Sequence, residues 1–141
     1  MGVYALISCN TPAKTGDDAK VPGSVFSTEL QETYWKVVEI NGLPVTNPAS
    51  NQKEAHIILK KDGNRLQGSG GCNTLMGSYE LMEGNRIRFS GVASTMMACP
   101  DMSIESELGK AIEMADNYAI QGKFLMLHKA KMSPLVKFEA K

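Results

Sequence analysis

No charge of one sign dominates this chain: 15 Lys and Arg stand against 15 Asp and Glu. The two signs are interspersed, so the basic footprint expected of a nucleic-acid binder is absent and no nucleic-acid partner is expected. No apolar run approaches the ~18 residues that a membrane-spanning helix needs. Catalytic signatures are missing as well. The chain has no Gly-x-Ser-x-Gly elbow, no His-Glu-x-x-His and no convincing Cys-His pairing. Gly68-Ser69-Gly70-Gly71 lacks the Gly-Lys-Ser/Thr ending of a phosphate loop, and no helix follows it directly. Its glycines read better as residues that let a strand turn sharply or approach another backbone. The three cysteines include no Cys-x-x-Cys pair, and His56 and His128 sit inside strand-like runs, where a satisfied structural role is expected. No internal repeat and no second domain is visible. These absences point away from an enzyme and away from a bound metal or cofactor.

What is present begins with an apolar start. Met1 to Ile7 is apolar and ends at Ser8-Cys9. Leu6-Ile7-Ser8-Cys9 has the chemistry of a bacterial lipobox: a small residue at the cut site, an apolar stretch before it, and a cysteine whose sulfur takes lipid. No Lys or Arg precedes the stretch, which is at the short limit of a signal h-region of roughly 7–15 residues. Residues 1–9 therefore read as the truncated remnant of a lipoprotein signal, with Cys9 as the lipid attachment site. Residues 10–32 are rich in Asn, Thr, Pro, Ala, Lys, Gly, Asp and Ser, too polar to offset their chain entropy by burial. They read as a flexible tether. Residues 33–141 read as one folded domain.

Within that domain short strands alternate with turns. Tyr34 to Ile40 is aromatic and β-branched, and Asn41-Gly42-Leu43-Pro44 marks a turn. Ala55 to Lys60 runs into Asp62-Gly63-Asn64, a hairpin signal. Ser78 to Leu81 and Arg86 to Phe89 alternate, with Ile87 and Phe89 facing the core and Arg86 and Arg88 facing water. Val92 to Met97 reads as a further strand. Ile104, Leu108, Ala111, Ile112 and Ala115 have the spacing of one amphipathic helix. Asp101 or Ser103 can cap it, and Glu105 and Glu107 suit its positive end, on a polar face read as solvated. Strands return at Tyr118 to Ile120, Phe124 to His128 and Leu135 to Phe138. The expected class is α+β: mainly antiparallel β, a curled sheet or partly open barrel, with one helix packed on it.

Two cysteines stand in distinctive settings, Gly70-Gly71-Cys72-Asn73 and Thr95-Met96-Met97-Ala98-Cys99. A disulfide, a metal site, a catalytic thiol and buried free thiols are all compatible with them. Nine methionines, among them Met96, Met97 and Met102 near Cys99, raise metal or redox handling as an alternative, since thioether and thiolate suit Cu(I). Methionine more often fills gaps in a core.

The combination of Trp35, Gly71-Cys72-Asn73, Gly77-Ser78-Tyr79, Thr95 with Met97-Ala98-Cys99, the helix and Tyr118-Ala119-Ile120 resembles the META domain family, also called HslJ-like. The resemblance covers nearly all of the folded part. It implies a small, mainly antiparallel β fold with a helix. It implies little about activity; the family is loosely tied to heat shock, drug tolerance and secretion. Bacterial members are often envelope lipoproteins, which agrees with the lipobox. An oxidising envelope would favour a Cys72–Cys99 disulfide, worth about 3–4 kcal/mol in loop-closure entropy. The expectation is a monomeric domain of the bacterial cell envelope, anchored by lipid to a membrane, most simply the outer one. Its role would be binding an envelope protein or lipid, or structural, with no cofactor.

Overall fold

The computed structural model describes residues 28–46 and 53–141. Among the described residues nine strands form one sheet: β1 Trp35–Ile40, β2 Leu43–Pro44, β3 His56–Lys60, β4 Arg65–Ser69, β5 Thr74–Met82, β6 Arg86–Ser94, β7 Asn117–Gln121, β8 Phe124–His128 and β9 Val136–Ala140. One helix, α1 Ser103–Met114, is inserted between β6 and β7. Sheet order runs β9-β8-β7-β6-β5-β4-β3-β1-β2, and β9 also pairs with β1. The sheet therefore curls into a ring, and every pairing among the described strands is antiparallel. It is not a regular barrel. The β6–β7 seam is held by a single ladder pair, Arg86 with Asn117.

The α+β expectation is met, and alternation explains why. Ile57 and Leu59 on β3, Leu66 on β4, Leu75 and Tyr79 on β5 and Ile87 and Phe89 on β6 all turn inward. Their neighbours His56, Ile58, Gln67, Met76 and Arg88 turn outward, as the pleat requires. Leu108, Ala111 and Ile112 form the buried stripe of α1, which lies against β6 and also touches β1 and β8. At the hairpins, Asn64 and Asn85 take left-handed backbone beside Gly63 and Gly84, as those turn residues favour.

Three local readings differ from the structure. Leu43–Pro44, read as part of a turn, adds a two-residue strand to β1. The separate strand expected over 92–97 does not form. Residues 92–94 complete a long β6, and the chain then leaves the ladder. The packed region also begins before Thr33, inside the stretch whose composition suggested a tether. Leu30 is buried, Trp35 Nε1 donates to its carbonyl at 2.9 Å, and Thr28 Oγ1 donates to Gly122 O at 2.8 Å. The signal remnant with Cys9, and the tether as far as residue 27, lie outside the described residues.

Candidate functional site

Cys72 and Cys99 are joined in a disulfide, with Cα atoms 6.1 Å apart. Around it a polar knot forms from the two motifs and one helix residue. Gly71 adopts φ +111°, in the left-handed half of backbone space that a side chain would strain. At Gly70 an added Cβ would lie 2.5 Å from Glu105 Cγ, so only glycine lets the loop close over the helix. Ser69 Oγ accepts from Gly71 N at 3.0 Å, and Gly70 N donates to Asn73 O at 3.0 Å. This compact turn aims its next two amides at Glu105. Glu105 Oε1 accepts from Cys72 N at 3.2 Å and from Asn73 N at 2.6 Å, and Oε2 accepts from Asn73 Nδ2.

Asn73 carries the other half of the knot. Its Nδ2 also donates to Met97 O at 3.0 Å. Its Oδ1 accepts from Met97 N at 2.7 Å and from Thr95 Oγ1 at 2.8 Å. Both donors and both lone pairs of the amide are thereby used. Thr95 N still donates to Thr74 O at 3.2 Å, but beyond it the chain leaves the ladder, because both backbone polar groups of Met97 find the Asn73 side chain. The arrangement binds three segments together, namely the 70–73 loop, the 95–99 loop and the first turn of α1. Both sulfurs are committed to each other, both Glu105 oxygens are occupied, and the Asn73 amide is saturated. Chemically it is a clamp.

Glu105 was not legible as part of it. The reading of the Glu105 side as solvated is corrected: Glu105 is one of three buried polar residues, with Ser69 and Asn73, among the described residues. A signal was available. Glu105 precedes Leu108 by three residues and Ile112 by seven, which places it on the buried stripe. The expected cap at Asp101 or Ser103 is corrected: Met102 holds the N-cap position without a side-chain cap bond, and Asp101 Oδ1, just ahead of it, accepts from Ser103 N at 3.0 Å.

The remaining candidates disperse. Met96 is 95% exposed and Met97 57%, on an irregular loop and not on opposite faces of a strand. Among the described residues no three His, Cys, Asp or Glu side chains converge as a metal site would need. His128 Nδ1 lies 3.1 Å from Met132 O, an ordinary satisfied histidine. His56 is held more tightly. Its ring stacks on Tyr34 with centroids 4.2 Å apart and planes 13° from parallel, and its Nδ1 lies 3.0 Å from Glu54 O. A carbonyl only accepts, so Nδ1 carries the proton.

Tyr34 in turn donates to Glu54 Oε1 at 2.9 Å. Partial burial, then this bond and the Glu54 charge, push the Tyr34 hydroxyl up to about 12. Burial alone would raise the Glu54 carboxyl, but bonds from Tyr34 and Lys141 and the nearby lysine charges together hold it below the usual range. Because folding raises the Tyr34 pKa from 10.0 to about 12, its contribution to stability is fully present below pH 10.0 and is lost as pH rises through about 12. Ultraviolet titration of the native protein is expected to show one late tyrosine, and Glu54→Gln to bring it back toward 10.0. A normal midpoint for Tyr34 in the parent protein would contradict the arrangement.

Beside His56 lies a groove of about 650 Å³ on the outward face of β3, β4 and β5. Its position follows from a register irregularity. Ser78 pairs with Ser90 and Met76 with Ala93, so the β5–β6 ladder slips by one residue between them. Gly91 there takes φ +59°, and at Gly77 a Cβ would stand 3.1 Å from Val92 Cα. A bulge of this kind bends a ladder, and it coincides with the hollow.

Comparison with known proteins now decides the family. The META domain model matches residues 28–141. The chain belongs to the META domain family. A protein of Burkholderia xenovorans whose structure was determined by NMR superposes with a TM-score of 0.62 at 22% identity, covering 94% of this chain and 95% of that one. A second NMR structure gives 0.60 at 21% identity, covering 78% and 90%. Likeness at this identity speaks to the fold. Among curated proteins none matches the chain.

In this META domain two further motif residues, Trp35 and Tyr79, are buried and hydrogen-bonded as the clamp residues are. Trp35 is wholly buried and ties the entering chain to β1. Tyr79 is buried, donates to Lys60 O at 2.8 Å and accepts from Gln31 Nε2 at 2.7 Å. Ala98 is exposed on the 95–99 loop, and nothing in the structure explains its identity.

Proposed function

We propose that this META domain works in the bacterial cell envelope, anchored to a membrane by lipid on Cys9, as a binding or structural module and not as a catalyst. The observation that carries the reading is the Cys72–Cys99 disulfide. Structural disulfides belong to oxidising compartments, and the lipobox at Leu6-Ile7-Ser8-Cys9 names an envelope route to one. The anchor would hold the monomer to the outer membrane, facing the periplasm or the cell surface. The clamp supports a non-catalytic role, because its buried polar groups are engaged with one another. The outward groove supports binding.

The test is made on protein expressed from its own genomic locus. Labelling with an alkyne palmitate analogue is expected to tag the protein in the membrane fraction, and Cys9→Ser to abolish the tag and release the protein. Intact mass with and without reductant is expected to show one bond between Cys72 and Cys99. An untagged protein in the cytosol with two free thiols would overturn the proposal.

A further inference from the structure

We infer that the groove on β3, β4 and β5 is a binding site for a small organic anion, a carboxylate or phosphate monoester on an apolar body. This deepens the binding half of the proposed function and does not depend on the lipid anchor. The hollow has a volume of about 650 Å³, a size that suits a small molecule.

Its chemistry is one-sided. Arg65, Gln67 and His56 line it together with the Ser78 hydroxyl, and no Asp or Glu does. Several charges elsewhere on the surface are paired: Glu80 with Arg88, Glu32 with Lys60, and Glu54 with Lys36 and Lys141. Arg65 is exposed and forms no ion pair among the described residues. A guanidinium with a free fork favours planar or tetrahedral oxyanions, which it can hold through two parallel hydrogen bonds.

The register places these groups in order. Arg65 is directly opposite Ser78, making a polar end. Two residues along, Ile58, Gln67 and Met76 form a cross-strand row. Residues two apart on a strand are about 7 Å from each other, which fits an anionic head at Arg65 and an apolar body over Ile58 and Met76. The methionine adapts to the shape of that body. Gln67 can donate to the head or to a polar substituent. At the far end His56 is fixed by the Tyr34 stack and by Glu54, so that wall is already positioned before a ligand arrives.

Octyl phosphate and octanoate are the probes, with octanol and octyltrimethylammonium as controls of the same apolar body. Each is titrated into the 15N-labelled full chain, with shifts followed by NMR and affinity by calorimetry. At least one anion is expected to bind, with the largest shifts at Arg65, Gln67, Met76 and Ser78. The stronger of the two tells whether the head is carboxylate or phosphate. Arg65→Gln, an exposed change that leaves the spectrum otherwise intact, is expected to weaken it by about tenfold or more. Equal binding of the cation, an affinity untouched by Arg65→Gln, shifts confined to another surface, or no binding of either anion would each overturn the inference. Such a failure would leave the lipid label on Cys9 unaffected, so the two proposals are separable.

Discussion

Glu105→Ala is expected to lower the stability of the domain by about 3–5 kcal/mol, because it leaves buried donors without acceptors at about 1–3 kcal/mol each. Three donors converge on this carboxylate: the backbone amides of Cys72 and Asn73 and the Asn73 side chain. The alanine also opens space beneath Gly70, whose position now touches the Glu105 side chain. Chemical denaturation checks the magnitude. Glu105→Gln is expected to fall between, since its carbonyl oxygen can keep one acceptor position while its NH2 group faces the loop donors. A double-mutant cycle with Asn73→Ala is expected to give strong non-additivity, as residues in one network do. A loss below 1 kcal/mol for Glu105→Ala would mean that the loop is held without the carboxylate.

The second large effect concerns the disulfide. Cys72→Ser with Cys99→Ser is expected to cost about 3–4 kcal/mol, mainly by releasing a loop of 27 residues in the unfolded chain. That is a large share of the ~5–15 kcal/mol by which domains are stable. The fold is nevertheless expected to survive. Asn73 still ties the 95–97 segment to the 70–73 loop through hydrogen bonds to Met97 and Thr95. The expected result is thus a lower denaturation midpoint with an unchanged native amide spectrum. Loss of native dispersion would show that the polar knot cannot form without the covalent bond. Combining Asn73→Ala with the cysteine changes removes both ties and is expected to leave the 95–99 loop disordered.

How far the sequence spoke depended on whether a feature was local. Helix α1 was legible because Leu108, Ala111 and Ile112 recur at helical spacing. The ladders β3–β4 and β5–β6 were legible because turn residues stand between alternating runs. The end of β6 was not, since the group that draws residues 95–97 away is an amide more than 20 residues earlier, at Asn73. Glu105 was misread because a charged residue on a buried stripe is normally excluded, and only its distant amide partners make it tolerable. The groove was hidden for another reason. It depends on a one-residue slip between Met76 and Ser78, and register is a property of paired strands, not of either alone.

One feature of the ring bears on when it can form. Sheet neighbours follow chain order almost throughout; apart from β1 pairing with β3 past the short β2, the exception joins β1 to β9, the first and last strands of the described domain. Trp35 pairs with Ala140 across that seam. A polypeptide delivered N-terminus first must therefore wait for its final residues before the circle shuts, and the buried Trp35 stays without its last neighbours until then. Such long-range closure is slow relative to hairpin formation. The hairpins can thus form while the chain is still emerging, and the ring locks only after β9 has appeared.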